Sequence, residues 1–169
     1  MLELWPGRVS KAAPRVEAFG SVDELNALLG VARSLDREAW LATDIATIQS
    51  KLFSIGAALA ATTPEPLANL GRVNDDDVTE LERHIDRLEA DLPPLRNFVL
   101  PAGSSLSATI HLARTVCRRA ERRVVALAET ATVDPGLVRY LNRLADLLFV
   151  MARWCNQRAG IAEVEWHGG

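Results

Sequence analysis

His111-Leu-Ala-Arg-Thr-Val-Cys-Arg-Arg-Ala-Glu-Arg-Arg123 places six arginine or glutamate side chains on a strictly spaced apolar frame. That frame is Leu106, Ile110, Ala113, Cys117, Ala120, Val124 and Leu127, with spacings alternating 4 and 3. Such alternation marks the buried seam of a bundle helix. At about 100° per residue, Arg114 and Glu121 fall at the edge of the seam and Arg118 a little beyond it. Arg119 and Arg123 project from the far side and read as solvated. Arg114, Arg118 and Arg122 also form an i, i+4 ladder of like charge, each step costing roughly 0.2–0.5 kcal/mol on an isolated helix. Compensation must come from Glu121, from an acid on another helix or subunit, or from a bound anion.

Outward from this stretch the same pattern recurs. The 169 residues are 49% hydrophobic but only 5% aromatic, and strand-type alternation is scarce. The chain therefore reads as all-α, one domain over residues 1–169. A net charge of −3 makes no bulk case for nucleic acid or an anionic membrane. No apolar run reaches the roughly 20 residues needed to span a bilayer. Met1-Leu-Glu-Leu-Trp-Pro6 lacks the basic and apolar regions of a signal peptide. Cys117 and Cys155 fall on apolar helix faces and read as reduced core thiols, so a cytoplasmic location is expected.

Residues 1–15 read as irregular, with Pro6, Gly7 and Pro14. A first helix is expected from about Ser21 to Leu35, Ser21 and Glu24 forming a capping box. A second, about Arg37 to Ala61, contains Gly56, which predicts close backbone packing because glycine otherwise costs about 1 kcal/mol there. Thr62 to Val73 reads as a loop. Asn74-Asp-Asp-Asp77 opens a third helix with acids in its first turn, and Pro93-Pro94 lies beyond its end. Asn97-Phe-Val-Leu-Pro-Ala-Gly-Ser104 is a short extended connector. The arginine helix, which Ser104 or Ser105 can cap, follows to about Thr130, and Asp134-Pro135 starts the last helix, running to about Asn156 with Asn142, Asp146 and Arg153 on one flanking stripe. Gln157 to Gly169 reads as an extended arm. The sum is a five-helix bundle of ferritin-like up-down architecture.

Several chemistries are excluded by pattern. There is no G-x-x-x-x-G-K-[ST] loop, no G-x-G-x-x-G and no Glu-x-x-His pair. His84, His111 and His167 are scattered, without ligand-spaced partners. His111, one turn before Arg114, is either a satisfied boundary histidine or a site residue. Polar residues gather in three places: Arg114, Arg118, Glu121 and Arg122; Asn142, Arg143 and Asp146; Asp23, Glu24 and Asn26. They can form an ion-pair network between helices or subunits, with Asp23 or Asp146 neutralising the arginines. Equally, the arginines can bind a carboxylate or phosphate ligand.

Gly7-Arg-Val-Ser-Lys11, Arg15 through Asn26, Ile48 through Gly56, Phe98 through Ser104, His111 through Arg122 and Tyr140 through Phe149 occur in order. Together they closely resemble the PduO-type ATP:cob(I)alamin adenosyltransferases, over most of the chain from Gly7 to Arg153. The resemblance implies a homotrimer of five-helix bundles with active sites between subunits. The implied reaction moves the 5′-deoxyadenosyl group of ATP to the cobalt of reduced cobalamin and releases triphosphate, with Mg2+ assisting. By resemblance, Lys11, Arg118, Arg119, Glu121, Arg122 and Asn142 fall on ATP-contacting positions. Asp23 and Arg114 match a pair that bridges subunits. Phe98 matches the aromatic that fills the lower face of the corrin, and Asp146 a position near the site; with Arg118 these are the implied catalytic residues.

The family's Thr-x-x-Gly-Asp-x-Gly-x-Thr phosphate loop would stand just before Gly7, where this sequence begins. The alternative expectation is accordingly a non-catalytic corrinoid-binding or chaperone-like paralogue. Pro101-Ala102-Gly103 stands where the family has Pro-Gly-Gly, and Ala145 where it usually has Ser. A positive φ at residue 102 would make its alanine cost about 1 kcal/mol.

Overall fold

The structure is a computed structural model and describes residues 10–61 and 72–167. Five helices and one short antiparallel ribbon appear among them: α1 (Pro14–Leu35), α2 (Ala42–Ala60), α3 (Asp75–Glu89), β1 (Phe98–Val99), α4 (Ser105–Ala128), α5 (Pro135–Arg158) and β2 (Glu165–Trp166). The arginine helix, α4, is central, packing on α1 along one flank and on α5 along the other; α2 continues the bundle beyond α1 and α3 beyond α5. Side chains join the outer pair. Lys51 of α2 reaches Asp77 of α3 at 2.6 Å, and Asp44 lies 3.4 Å from His84 and 3.6 Å from Arg87.

Every seam residue named above for α4 is buried. So are Ser107, His111 and Val116, which lie off that seam. A helix with neighbours on both flanks needs a wider buried face than one 4-3 seam supplies. On α5, Leu141, Leu144, Leu148, Met151 and Cys155 are inward as their spacing requires.

Three boundaries differ from expectation. α1 begins at Pro14, not Ser21, because Pro14 occupies the first turn, where its missing N–H is no loss. Ser21 is therefore mid-helix, its hydroxyl donating to Glu17 O at 2.8 Å, and no Ser21–Glu24 capping box forms. Arg15, expected in the irregular segment, is helical and donates to Leu59 O and Ala61 O at the end of α2. α2 begins at Ala42 rather than Arg37. Buried Asp36 accepts from the backbone N–H groups of Trp40 and Leu41 at 3.0 and 2.8 Å, which holds residues 36–41 in a turn. Finally, the last helix runs to Arg158; the arm turns at Gly160 (φ 67°) and pairs as β2 with the Phe98 connector. Residues 1–9, most of the expected 62–73 loop, and residues 168–169 lie outside the described residues.

The remaining starts are as read. Asn74 and Asp77 form a reciprocal capping box, Ser104 accepts from Ser107 N, and Asp134 accepts from Gly136 N.

Glycine placement differs too. A Cβ built on Gly56 would sit 3.9 Å from Val22 Cγ1, an ordinary contact, so no close backbone approach exists there. The tight glycines are Gly136, whose Cβ would lie 2.8 Å from Val73 O, and Gly103. Gly103 has φ 113°, and a Cβ there would come within 2.1 Å of Asn156 Oδ1. Ala102 does not have a positive φ, so its replacement of a family glycine carries no backbone strain.

Candidate functional site

α4 and α5 frame a groove made of two depressions that share Arg118, Ala145 and Asp146. One, of about 380 Å³, also has Arg114 and Phe149 in its wall. The other, of about 340 Å³, has Glu121, Arg122 and Asn142. Seven residues singled out from sequence therefore meet: Arg114, Arg118, Glu121, Arg122, Asn142, Arg143 and Asp146. The cause is local. Residues 114, 118, 121 and 122 share one edge of α4, and Asn142 and Asp146 share one edge of α5. Small Ala145 lets the two edges face each other across open space.

Two of the groove's acids, Glu121 and Asp146, are already engaged, while Glu89 at the end of α3 lines the first depression without an ion pair among the described residues. Asn142 Nδ2 donates to Glu121 Oε1 at 2.9 Å, and Arg143 Nη1 donates to Asp146 Oδ2 at 2.9 Å. Arg143 Nε also stands 3.2 Å from Glu82 Oε1, a charge contact without hydrogen-bond alignment. Among the described residues Arg118 and Arg122 take no acidic partner. Arg114 lies over the Phe149 ring, 5.9 Å from its centroid, and its Nε is buried without a hydrogen-bond partner. Burial, then the neighbouring Arg118 charge, lower the Arg114 pKa from its ordinary value. Cation repulsion and incomplete pairing together leave the arginines of this groove with hydrogen-bonding capacity that an anion could fill. The ion-pair alternative is realised only in part within one chain: Glu24 of α1 pairs with Arg119 and Glu82 of α3 approaches Arg143, but Asp146 is taken by Arg143, and Asp23 is exposed on α1, outside the groove walls.

The other sequence-derived residues lie elsewhere. Arg119 is ion-paired with Glu24 of α1, and Arg123 approaches Glu17 at 3.6 Å. The wheel's outer side is thus the α1 flank of α4, and neither arginine is a free solvated charge. Lys11 is exposed in the turn before α1 and lines neither depression. Phe98 is 78% exposed on β1. It borders a third depression, of about 460 Å³, together with Trp166, whose ring centroid is 6.3 Å away.

Sequence reasoning missed Phe149, Glu163 and Trp166, and it placed Arg153 only on a flanking stripe. The guanidinium groups of Arg114 and Arg153 both lie over the Phe149 ring, 5.9 and 6.0 Å from its centroid, with His111 edge-on at 6.1 Å. The available signal was the i, i+4 spacing of Phe149 and Arg153. His111 is a buried boundary histidine; its Nδ1 is unpartnered, and burial first, then Arg114, lower its pKa.

Residues 3–155 match the family model described as cobalamin adenosyltransferase. A corrinoid adenosyltransferase of Bacillus subtilis is 42% identical over 164 residues, covering 95% of this chain and 83% of that protein. The corrinoid adenosyltransferase PduO of Salmonella typhimurium is 41% identical over 86% of this chain, which spans 44% of that longer protein. Among solved structures, a variant PduO-type ATP:corrinoid adenosyltransferase from Lactobacillus reuteri, complexed with cobalamin and ATP, superposes with a TM-score of 0.89. Its sequence identity is 31%, over 95% of this chain and 90% of that one. A second variant of the L. reuteri enzyme, complexed with ATP, gives a TM-score of 0.88 at 30% identity, over 96% of this chain and 92% of that one. With an arginine-lined groove on a five-helix bundle, and with kinship over most of its length in both sequence and fold, this chain belongs to the cobalamin adenosyltransferase family.

Proposed function

We propose that this chain transfers the 5′-deoxyadenosyl group of ATP to the cobalt of a reduced corrinoid. The observation that carries the reading is the row Arg114, Arg118 and Arg122 facing the α4–α5 groove without acidic partners among the described residues. In the reaction, Co(I) gives its electron pair to C5′ of ATP. The C5′–O5′ bond breaks, triphosphate leaves with that bond's electrons, and the cobalt ends as Co(III) bonded to carbon. The corrinoid supplies the nucleophile, so no Ser, Cys or His need serve. The protein's tasks are to align C5′ with the metal and to stabilise charge on the departing oxygen.

Arg118 and Arg122 suit the triphosphate, and Glu121 and Asn142, already hydrogen-bonded to each other, suit the nucleoside end. Asp146 fixes Arg143 beside them. Lys11 and Arg119 belong to the ATP set only if a neighbouring subunit brings the α1 flank against a groove, and Arg119 would then give up Glu24. That split of one set between two surfaces supports a homotrimer with composite sites, Asp23 of one copy meeting Arg114 of the next. Phe98, exposed and aromatic, suits the lower face of the corrin, where it would exclude an axial ligand. The Mg2+ of this reading would take most of its ligands from the triphosphate, with Glu121 or Asp146 as carboxylates at hand. A cytoplasmic location goes with it, supported by Cys117 and Cys155, buried and unbridged. Among the described residues no helix is long and apolar enough to cross a membrane.

The test supplies reduced cobalamin, ATP and Mg2+ and follows the spectrum for a cobalt–carbon product. Product formation supports transfer; cobalamin binding without product refutes catalysis. In the same assay Arg118→Ala weakens ATP binding by about tenfold or more, as loss of a charge-assisted contact does. Arg123→Ala, which disturbs only an exposed pair with Glu17, leaves it within about twofold. Equal losses in both variants would remove the groove as the ATP site.

A further inference from the structure

The β1–β2 ribbon is two residues long on each strand, pairing Phe98 with Trp166 and Val99 with Glu165. A ribbon this short does not hold a position by its own hydrogen bonds. Its placement comes from α5. Asn156 holds one end, accepting from Ser104 N at 3.0 Å and donating to Ala102 O at 2.9 Å. Arg153 holds the chain leading into each strand. Its Nε lies 2.9 and 3.2 Å from the Glu163 carboxylate oxygens, and its Nη2 donates to Glu163 Oε2 at 3.1 Å and to Pro93 O at 3.0 Å. Pro93 precedes β1 and Glu163 precedes β2, so one guanidinium grips the approach to both strands.

We propose that Arg153, acting through Glu163 and Pro93, is a positioning residue for corrinoid binding: it sets the ribbon so that Phe98 meets the corrin face. This rests on the reading of Phe98 given above. Arg153 is only 4% exposed and lines neither the groove nor the depression beside Phe98, so it contacts no substrate. A charge this deep in a helix is costly unless fully paired, and here every bond it makes runs to a ribbon approach rather than to the bundle. The bidentate geometry fixes direction as well as distance, which is what a short ribbon lacks. The Arg153 guanidinium also lies over the Phe149 ring, 6.0 Å from its centroid, so the ribbon anchor packs against a side chain of the groove wall.

The experiment measures steady-state constants for reduced cobalamin and for ATP separately, in the full chain with Mg2+, for Glu163→Ala, Glu163→Gln and Arg153→Lys, with a thermal melt of each. Glu163 sits in the arm outside the bundle, so its variants keep the core. Expected is a rise of about tenfold or more in the cobalamin KM for Glu163→Ala, while the ATP KM moves by less than about twofold. Glu163→Gln, which keeps an acceptor oxygen, recovers part of the loss, and Arg153→Lys, which keeps the charge but not the fork, falls between. With cob(II)alamin and ATP bound, the Glu163→Ala spectrum retains more of the lower-ligated cobalt. Unchanged constants, or equal rises in both KM values, overturn the proposal. Phe98→Ala is run beside them. If it leaves the cobalamin constants untouched, the ribbon is no corrinoid surface and the reading beneath the proposal is what has failed. If it raises the cobalamin KM while the Glu163 variants do not, the clamp alone is refuted.

Discussion

His111 illustrates how one buried side chain imposes a pH dependence. It is 3% exposed, edge-on to Phe149, with Arg114 and Arg153 both over that ring and Glu163 the opposing charge. Burial and Arg114 outweigh Glu163, so the folded pKa lies below the ordinary 6.5. Between the folded and unfolded values the unfolded chain binds more protons, so stability falls as pH drops through that window and is fully present above it. His84 shifts the same way, chiefly by desolvation, with Asp44 opposing. Melting temperature should therefore decline as pH falls from about 7 toward 5. His111→Phe, which keeps an edge-on ring and removes the titration, flattens part of that slope in a pH series of thermal melts. An unaltered slope would assign it to His84 or to the carboxylates.

At the scale of elements, legibility followed how local the controlling force is. The 4-3 seam of α4 was readable because burial repeats along the chain, and the caps at Asn74, Ser104 and Asp134 because each joins residues two or three apart. The start of α2 was not readable, since it depends on buried Asp36 turning its carboxylate onto Trp40 and Leu41. Arg119 was misplaced because the wheel assumed one packed face, whereas α4 meets both α1 and α5. The ribbon depends on a contact between residues 98 and 166, which no local pattern encodes. Gly56 gives the element-scale prediction. Its absent Cβ would meet Val22 at an ordinary 3.9 Å and its φ is helical, so Gly56→Ala should stabilise α2 by about 1 kcal/mol. That corresponds to a rise in melting temperature of roughly 2–4 °C. A fall instead would mean that α1 and α2 pack more tightly in solution than this distance allows.

Across the whole molecule, the groove was legible as a positive stripe but not as a complete site, because the residues the resemblance assigns to it lie on separate surfaces of one chain. The groove gathers Arg118, Glu121, Arg122, Asn142 and Asp146, while Lys11, Asp23 and Arg119 stay off its walls and Phe98 lies on the ribbon. Asp23 is exposed without an ion pair among the described residues, and Arg114 has a buried Nε without a hydrogen-bond partner. If the proposed trimer joins these two groups across a boundary, reversing either charge places like charges together in a partly dry interface, which costs several kcal/mol by typical magnitudes. Asp23→Arg and Arg114→Asp should each shift the species in sedimentation toward monomer and reduce turnover. The double variant restores opposite charges across the same boundary and should recover assembly at least in part. Recovery of assembly without recovery of turnover would place Arg114 in the anion site as well as in the bridge, which its position in the groove wall beside Arg118 permits. Wild-type assembly in both single variants would mean that Asp23 and Arg114 do not meet, and the composite site would then need another boundary.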